Sequence, residues 1–217
     1  MASLVEPSGA PRNTVADTWR WMKPDLLWRI IPLTILPLLY SAFFHLPLSF
    51  LGLALSNVPQ QLSIGIIVGI VMALFAALYR VHIVGPWFRR PTFNDHLLQS
   101  VFYVLINGPV EELFFRGFLL AAVTQWTGWL GWGCLVSIAT YTLYHRLGKW
   151  NWRSVFGVCL AGLVFTLVYI TQSGPRSLLA VSIVHSLTTS GFLNGGDEVL
   201  YWCWKRRKCV QPPAVNH

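Results

Sequence analysis

The chain has 217 residues, is 54% hydrophobic and is only 11% charged, whereas soluble domains carry about 25% charged residues. This excludes a soluble enzyme with alternating apolar and polar faces and predicts an all-α polytopic membrane protein. The net charge of +8 does not point to nucleic acid, because the basic residues cluster at the ends of apolar runs. There they set orientation and meet anionic lipid.

Met1 to Asp25 is polar and holds Pro7, Pro11 and Pro24. It reads as a cytoplasmic N-terminal segment, 1–25, with no cleavable signal. Six apolar runs follow, at about Leu26–Phe44, Leu62–Tyr79, Leu97–Thr124, Trp129–His145, Ser154–Ile170 and Ser177–Leu193. Each is near the length that crosses a bilayer. In the first, Pro32 and Pro37 predict a kink, and Arg29 is expected to snorkel to the cytoplasmic surface. The apolar stretch from Pro47 to Leu55 is too short to cross and reads as an interfacial turn. Gly65 and Gly69 in the second run form a GxxxG, which favours close helix packing.

Loop charges support six spans. Arg12, Arg20 and Lys23 precede the first span. Arg80, Arg89 and Arg90 follow the second, and Arg146, Lys149 and Arg153 follow the fourth. The tail holds Lys205 to Lys208, while the first and third loops hold no Lys or Arg and the fifth only Arg176. This alternation puts both termini in the cytoplasm. Residues 196–217 form a basic cytoplasmic tail whose Leu200, Trp202 and Trp204 suggest an interfacial amphipathic helix. Cys134, Cys159, Cys203 and Cys209 form no CxxC pair, so neither a zinc knuckle nor a redox motif is supported.

The third run carries its chemistry in Asn107-Gly-Pro-Val-Glu111-Glu112-Leu-Phe-Phe-Arg116-Gly117. Each charge at membrane depth costs about 2.5–3.5 kcal/mol on insertion scales, so such residues mark a functional site by default. Glu112 and Arg116 are four apart and share a helix face. Glu111 is rotated about 100° from Glu112 and is left to face a cavity. Gly108 and Pro109 weaken the helix just upstream. Tyr141 and His145 share a face of the fourth run, as do His185 and Thr189 in the sixth.

Two chemistries fit a buried carboxylate with two histidines. Glu111 acts as general base on a water that one histidine positions, while the other stabilises an oxyanion. Or Glu111 and the histidines ligate zinc, which activates the water. Both hydrolyse an amide, and the usual HExxH helix is absent.

The pattern Glu111-Glu112-x-x-x-Arg116-Gly117, with His145 in the next span and His185 two spans later, resembles the CPBP family. These are the CAAX-protease and bacteriocin-processing intramembrane proteases, and the resemblance covers about residues 97–195. It implies that Glu111 activates water with His145, that Glu112 and Arg116 support the site, and that His185 helps form the oxyanion hole. It also favours a metal-free glutamate mechanism with no cofactor. Two positions depart from the family pattern. Tyr141 replaces the Phe of FxxxH, and Thr189 stands where HxxxN or HxxxD has Asn or Asp. Asn194 is too far along a straight helix from His185 to substitute.

The resulting expectation is an intramembrane endopeptidase domain at 26–195 that cuts a membrane-anchored, lipidated or leader-bearing peptide. Glu111, Glu112, Arg116, His145 and His185 are its catalytic set, and Thr189, Tyr141 and Asn107 line the substrate or oxyanion side. Its partners are the lipid bilayer and the peptide substrate, with no nucleic acid. The short chain and compact loops suggest a bacterial cell membrane. Glu111 lies about 21 Å into the third run at 1.5 Å per residue, yet His145 ends its own span. Leu97 to Tyr103 is therefore expected at or outside the cytoplasmic interface. A non-catalytic immunity or scaffold protein of the same fold, or a small transporter, are the other classes considered.

Overall fold

The computed structural model describes residues 14–85, 92–148 and 150–210. Arg12, Trp87, Arg89, Arg90 and Lys149 lie outside the described residues, as do the side chains of Trp204, Arg207, Lys208 and Cys209. The architecture is all-α. We name its helices α1 (Val15–Phe43), α2 (Val58–Val84), α3 (93–127), α4 (Leu130–Leu147), α5 (Trp152–Ile170) and α6 (178–210). Each predicted span falls on one of them. By length and composition α1, α2 and α5 are long and apolar enough to cross a membrane. Helix α3 is longer but carries Glu111, Glu112 and Arg116 at its centre.

Helix α1 begins eleven residues before the first apolar run. Thr14 and Asp17 form a reciprocal capping box, with Asp17 N–H donating to Thr14 Oγ1 and Thr14 N–H to Asp17 Oδ2, both at 3.2 Å. Thr18 and Met22, four apart, are then buried against α3. Thr18 Oγ1 donates to Asp95, and the Trp21 ring meets Phe102 edge-on at 5.9 Å. Residues 15–25, part of the polar segment before the first apolar run, thus extend the first helix.

The stretch 47–55 is a turn packed on the helices. Leu48–Leu51 is a 3-10 turn, and Leu51 is fully buried. Gly52 closes the turn at φ 71° and accepts from Leu178 N–H at 2.9 Å. Gly117 lets this turn approach α3, because a Cβ there would strike the Leu51 carbonyl. Gly65 and Gly69 do face α6, where an added Cβ would meet Ile183 and Leu187.

The tail is continuous with α6. Leu200 is buried, and Asp197 lies 3.6 Å from the Arg80 guanidinium. Its inner face therefore packs on protein, while Lys205 and Arg206 are exposed.

Several helices widen locally into π turns: Leu26–Ile30 in α1, Arg80–Val84 in α2, Tyr103–Asn107 and Leu113–Leu120 in α3, and Gly191–Gly195 in α6. Pro109 has no N–H to give to the residue four back, and its ring crowds that carbonyl. The preceding turn, Tyr103–Asn107, is where α3 widens. Ser186 Oγ on α6 donates to the Tyr103 and Val104 carbonyls at 3.3 and 3.2 Å. Gly108 permits this approach, since a Cβ there would overlap Ser186 Oγ. The GP pair thus brings α6 against α3 one turn from the two glutamates.

Candidate active site

The polar residues singled out in the sequence converge at the middle of α3. Arg116 is fully buried. Its Nη1 donates to Glu112 Oε1 at 2.9 Å and its Nη2 to the Gly162 carbonyl at 3.2 Å. The guanidinium also lies 4.5 Å from the Tyr141 ring centroid and 5.4 Å from that of Phe165. One arginine therefore ties α3 to α4 and α5 by charge, hydrogen bond and cation–π contact.

His185 stands between the two carboxylates. Its Nδ1 is 2.6 Å from Glu112 Oε1, and its Nε2 is 3.6 Å from Glu111 Oε2. A carboxylate only accepts, so Nδ1 carries the proton given to Glu112. The Tyr141 hydroxyl lies 3.5 Å from Nε2, and the imidazole stacks on Phe165 at 4.7 Å. The 100° rotation between the glutamates thus gives each one a different nitrogen of the same histidine.

His145 sits at the edge of this cluster. Its Nδ1 donates to the Tyr141 carbonyl at 2.9 Å, which leaves Nε2 for a water or substrate. Its ring packs edge-on to Tyr141 at 4.7 Å and Trp150 at 5.2 Å. Tyr141, His145, Trp150, Phe165 and Thr189 line one largely apolar cavity between α2, α4, α5 and α6. Asn194 serves elsewhere, its Nδ2 donating to Ser100 Oγ at 2.6 Å. Residues 97–103, expected at the interface, are helical and continuous with the rest of α3.

Sequence reasoning missed one member of the site. Arg29 does not snorkel away. Its Nη1 donates to Glu111 Oε1 and its Nη2 to Asn107 Oδ1. Asp25 holds the same guanidinium through Nε at 2.6 Å and Nη2 at 2.5 Å. The signal was present: Asp25 and Arg29 are four apart at the head of an apolar run, the spacing of a helical ion pair. Snorkelling displaced it because Arg29 lies so near that end of the run.

With Oε1 engaged by Arg29, Glu111 Oε2 is buried and has no hydrogen-bond partner among the described residues. Among the described residues no group of three His, Cys, Asp or Glu side chains is placed to hold a metal. Both histidines have Nδ1 engaged and keep Nε2, the nitrogen a ligand held in this way offers to a metal.

Fold and site define an all-α membrane protein with a buried carboxylate–histidine cluster. Residues 93–190 match the family model described as type II CAAX prenyl endopeptidase Rce1-like. This segment, which holds both glutamates, Arg116 and both histidines, is similar to that family, which is a family of proteases. Neither the curated proteins nor the solved structures contain a match.

Proposed function

We propose that this protein is an intramembrane endopeptidase of the glutamate type. The observation that carries the reading is the bare, buried Oε2 of Glu111 facing His185 Nε2 at 3.6 Å. Glu111 Oε2 takes a proton from a water whose oxygen attacks the peptide carbonyl. His145 Nε2 positions that water. The carbonyl oxygen becomes an oxyanion that accepts from the Tyr141 and Thr189 hydroxyls; His185, its Nδ1–H on Glu112, adds a donor only when Nε2 also carries a proton. On collapse the C–N bond breaks, and the proton held by Glu111 passes to the leaving amine. Glu112 and Arg116 hold His185 in place.

The substrate is a membrane-anchored, lipidated or leader-bearing peptide. The family match supports a CAAX-type peptide. The chain crosses the bilayer six times with both termini in the cytoplasm, as its loop charges indicate.

The test is cleavage of a pool of prenylated and unprenylated membrane peptides by detergent-purified protein. Glu111→Gln and His185→Ala are expected to lose cleavage at least about 10³-fold, with no effect of a zinc chelator on wild type. Full activity in Glu111→Gln would overturn the glutamate mechanism. Chelator-sensitive cleavage would restore the zinc alternative, and no cleavage of any peptide by wild type would overturn the enzymatic reading.

A further inference from the structure

The segment matching the protease family begins at residue 93, yet one side of the site comes from α1, far earlier in the chain. Arg29 reaches Glu111 across 82 residues of sequence. Its five donors are in a planar fork, and the structure engages Nε, Nη1 and Nη2. Asp25 takes Nε and Nη2, Glu111 takes Nη1, and Asn107 also accepts from Nη2. The side chains are 17% exposed for Arg29 and 24% for Asp25, against 4% for Glu111. The pair therefore reaches inward from the rim to the buried carboxylate.

With Nε and Nη2 taken by Asp25 and Asn107, Nη1 is the nitrogen that meets Glu111 Oε1. The contact does two things. It supplies the opposite charge that a carboxylate at membrane depth requires. It also engages Oε1, so that Oε2 is left for water. A base must meet its proton donor within hydrogen-bond reach, and small misplacements are costly.

We propose that Arg29 is the positioning residue for Glu111, and that Asp25 acts only by aiming Arg29. The active site is thereby completed by α1, outside the segment shared with the family. The inference rests on Glu111 being the base, as argued above.

It is tested by steady-state kinetics of the full chain in detergent, on a quenched fluorescent lipidated peptide that wild type cleaves. Arg29→Met lowers kcat on the order of 10²-fold, with KM within about threefold, because an interaction of the reacting group is lost rather than uniform binding. Arg29→Lys restores part of the loss, since it returns the charge without the fork. Asp25→Asn lowers kcat about tenfold in the wild-type background and has no further effect beside Arg29→Met, the non-additivity expected of a coupled pair.

Unchanged kcat in Arg29→Met, beside an inactive Glu111→Gln, overturns the inference while leaving the base assignment intact. Additive effects of Asp25→Asn and Arg29→Met overturn Asp25's part. A loss that follows thermal unfolding in detergent and is not relieved by Arg29→Lys makes Arg29 a packing residue and overturns the inference. Activity in Glu111→Gln overturns the parent reading together with this one.

Discussion

At the scale of single residues the site rests on two arginines with different surroundings. Arg116 is sealed among Glu112, Gly162, Tyr141 and Phe165, whereas Arg29 comes in from the rim. Breaking a buried ion pair by removing one partner costs about 3–5 kcal/mol, while removing both charges is far cheaper. Arg116→Met is therefore expected to destabilise the protein by about that amount, read as thermal unfolding in detergent. Glu112→Gln added to it leaves an acceptor for His185 Nδ1 and removes the stranded charge. The double variant should unfold closer to wild type than the single one, and a lower melting temperature for the double would refute the pairing argument. The Glu112–Arg116 pair was legible in the sequence because its spacing is helical. The Arg29–Glu111 pair was not, because its 82-residue separation carries no local signal.

At the scale of elements, apolar run length located all six helices but not their ends or interruptions. The start of α1 depends on a capping box in polar sequence, and its first turns are held by Thr18 and Asp95, which hydropathy reads as solvent-facing. The π turns of α3 were equally hidden, although Gly108 and Pro109 marked where the helix would weaken. Their structural consequence depends on Ser186, a residue with no distinguishing sequence context. Gly108→Ala puts a methyl against Ser186 Oγ and the close α3–α6 contact. Overpacking of this kind costs about 1–3 kcal/mol. We expect Gly108→Ala to lower the unfolding temperature and the cleavage rate together, and Ser186→Gly in the same chain to recover part of the stability. Wild-type stability in Gly108→Ala would mean that the two helices need not approach so closely.

At the scale of the whole molecule, side-chain contacts sort the loops into two ends without reference to charge. Ser56 donates to the Pro175 carbonyl at 2.7 Å, and Gln61 to Gln172 at 3.0 Å, joining the loops before α2 and before α6. At the opposite end of α2, Tyr79 donates to the Arg153 carbonyl at 2.7 Å and Arg80 faces Asp197, joining the second loop, the start of α5 and the tail. Thr18 with Asp95 places the beginning of α1 beside the beginning of α3. The end that gathers Arg80, Arg153, Lys205 and Arg206 is the basic one, and the other end has Arg176. The packing groups the same loops as the charge pattern does, and the proposed topology, by the positive-inside rule, puts the basic end in the cytoplasm. With the native cysteines replaced by serine, Arg20→Cys, Arg146→Cys and Arg206→Cys should resist a membrane-impermeant maleimide in intact cells and react after permeabilisation. Asn57→Cys and Ser173→Cys should react in intact cells. Labelling of Asn57→Cys from the same side as Arg20→Cys would remove the first crossing, and with it the proposed six-span arrangement.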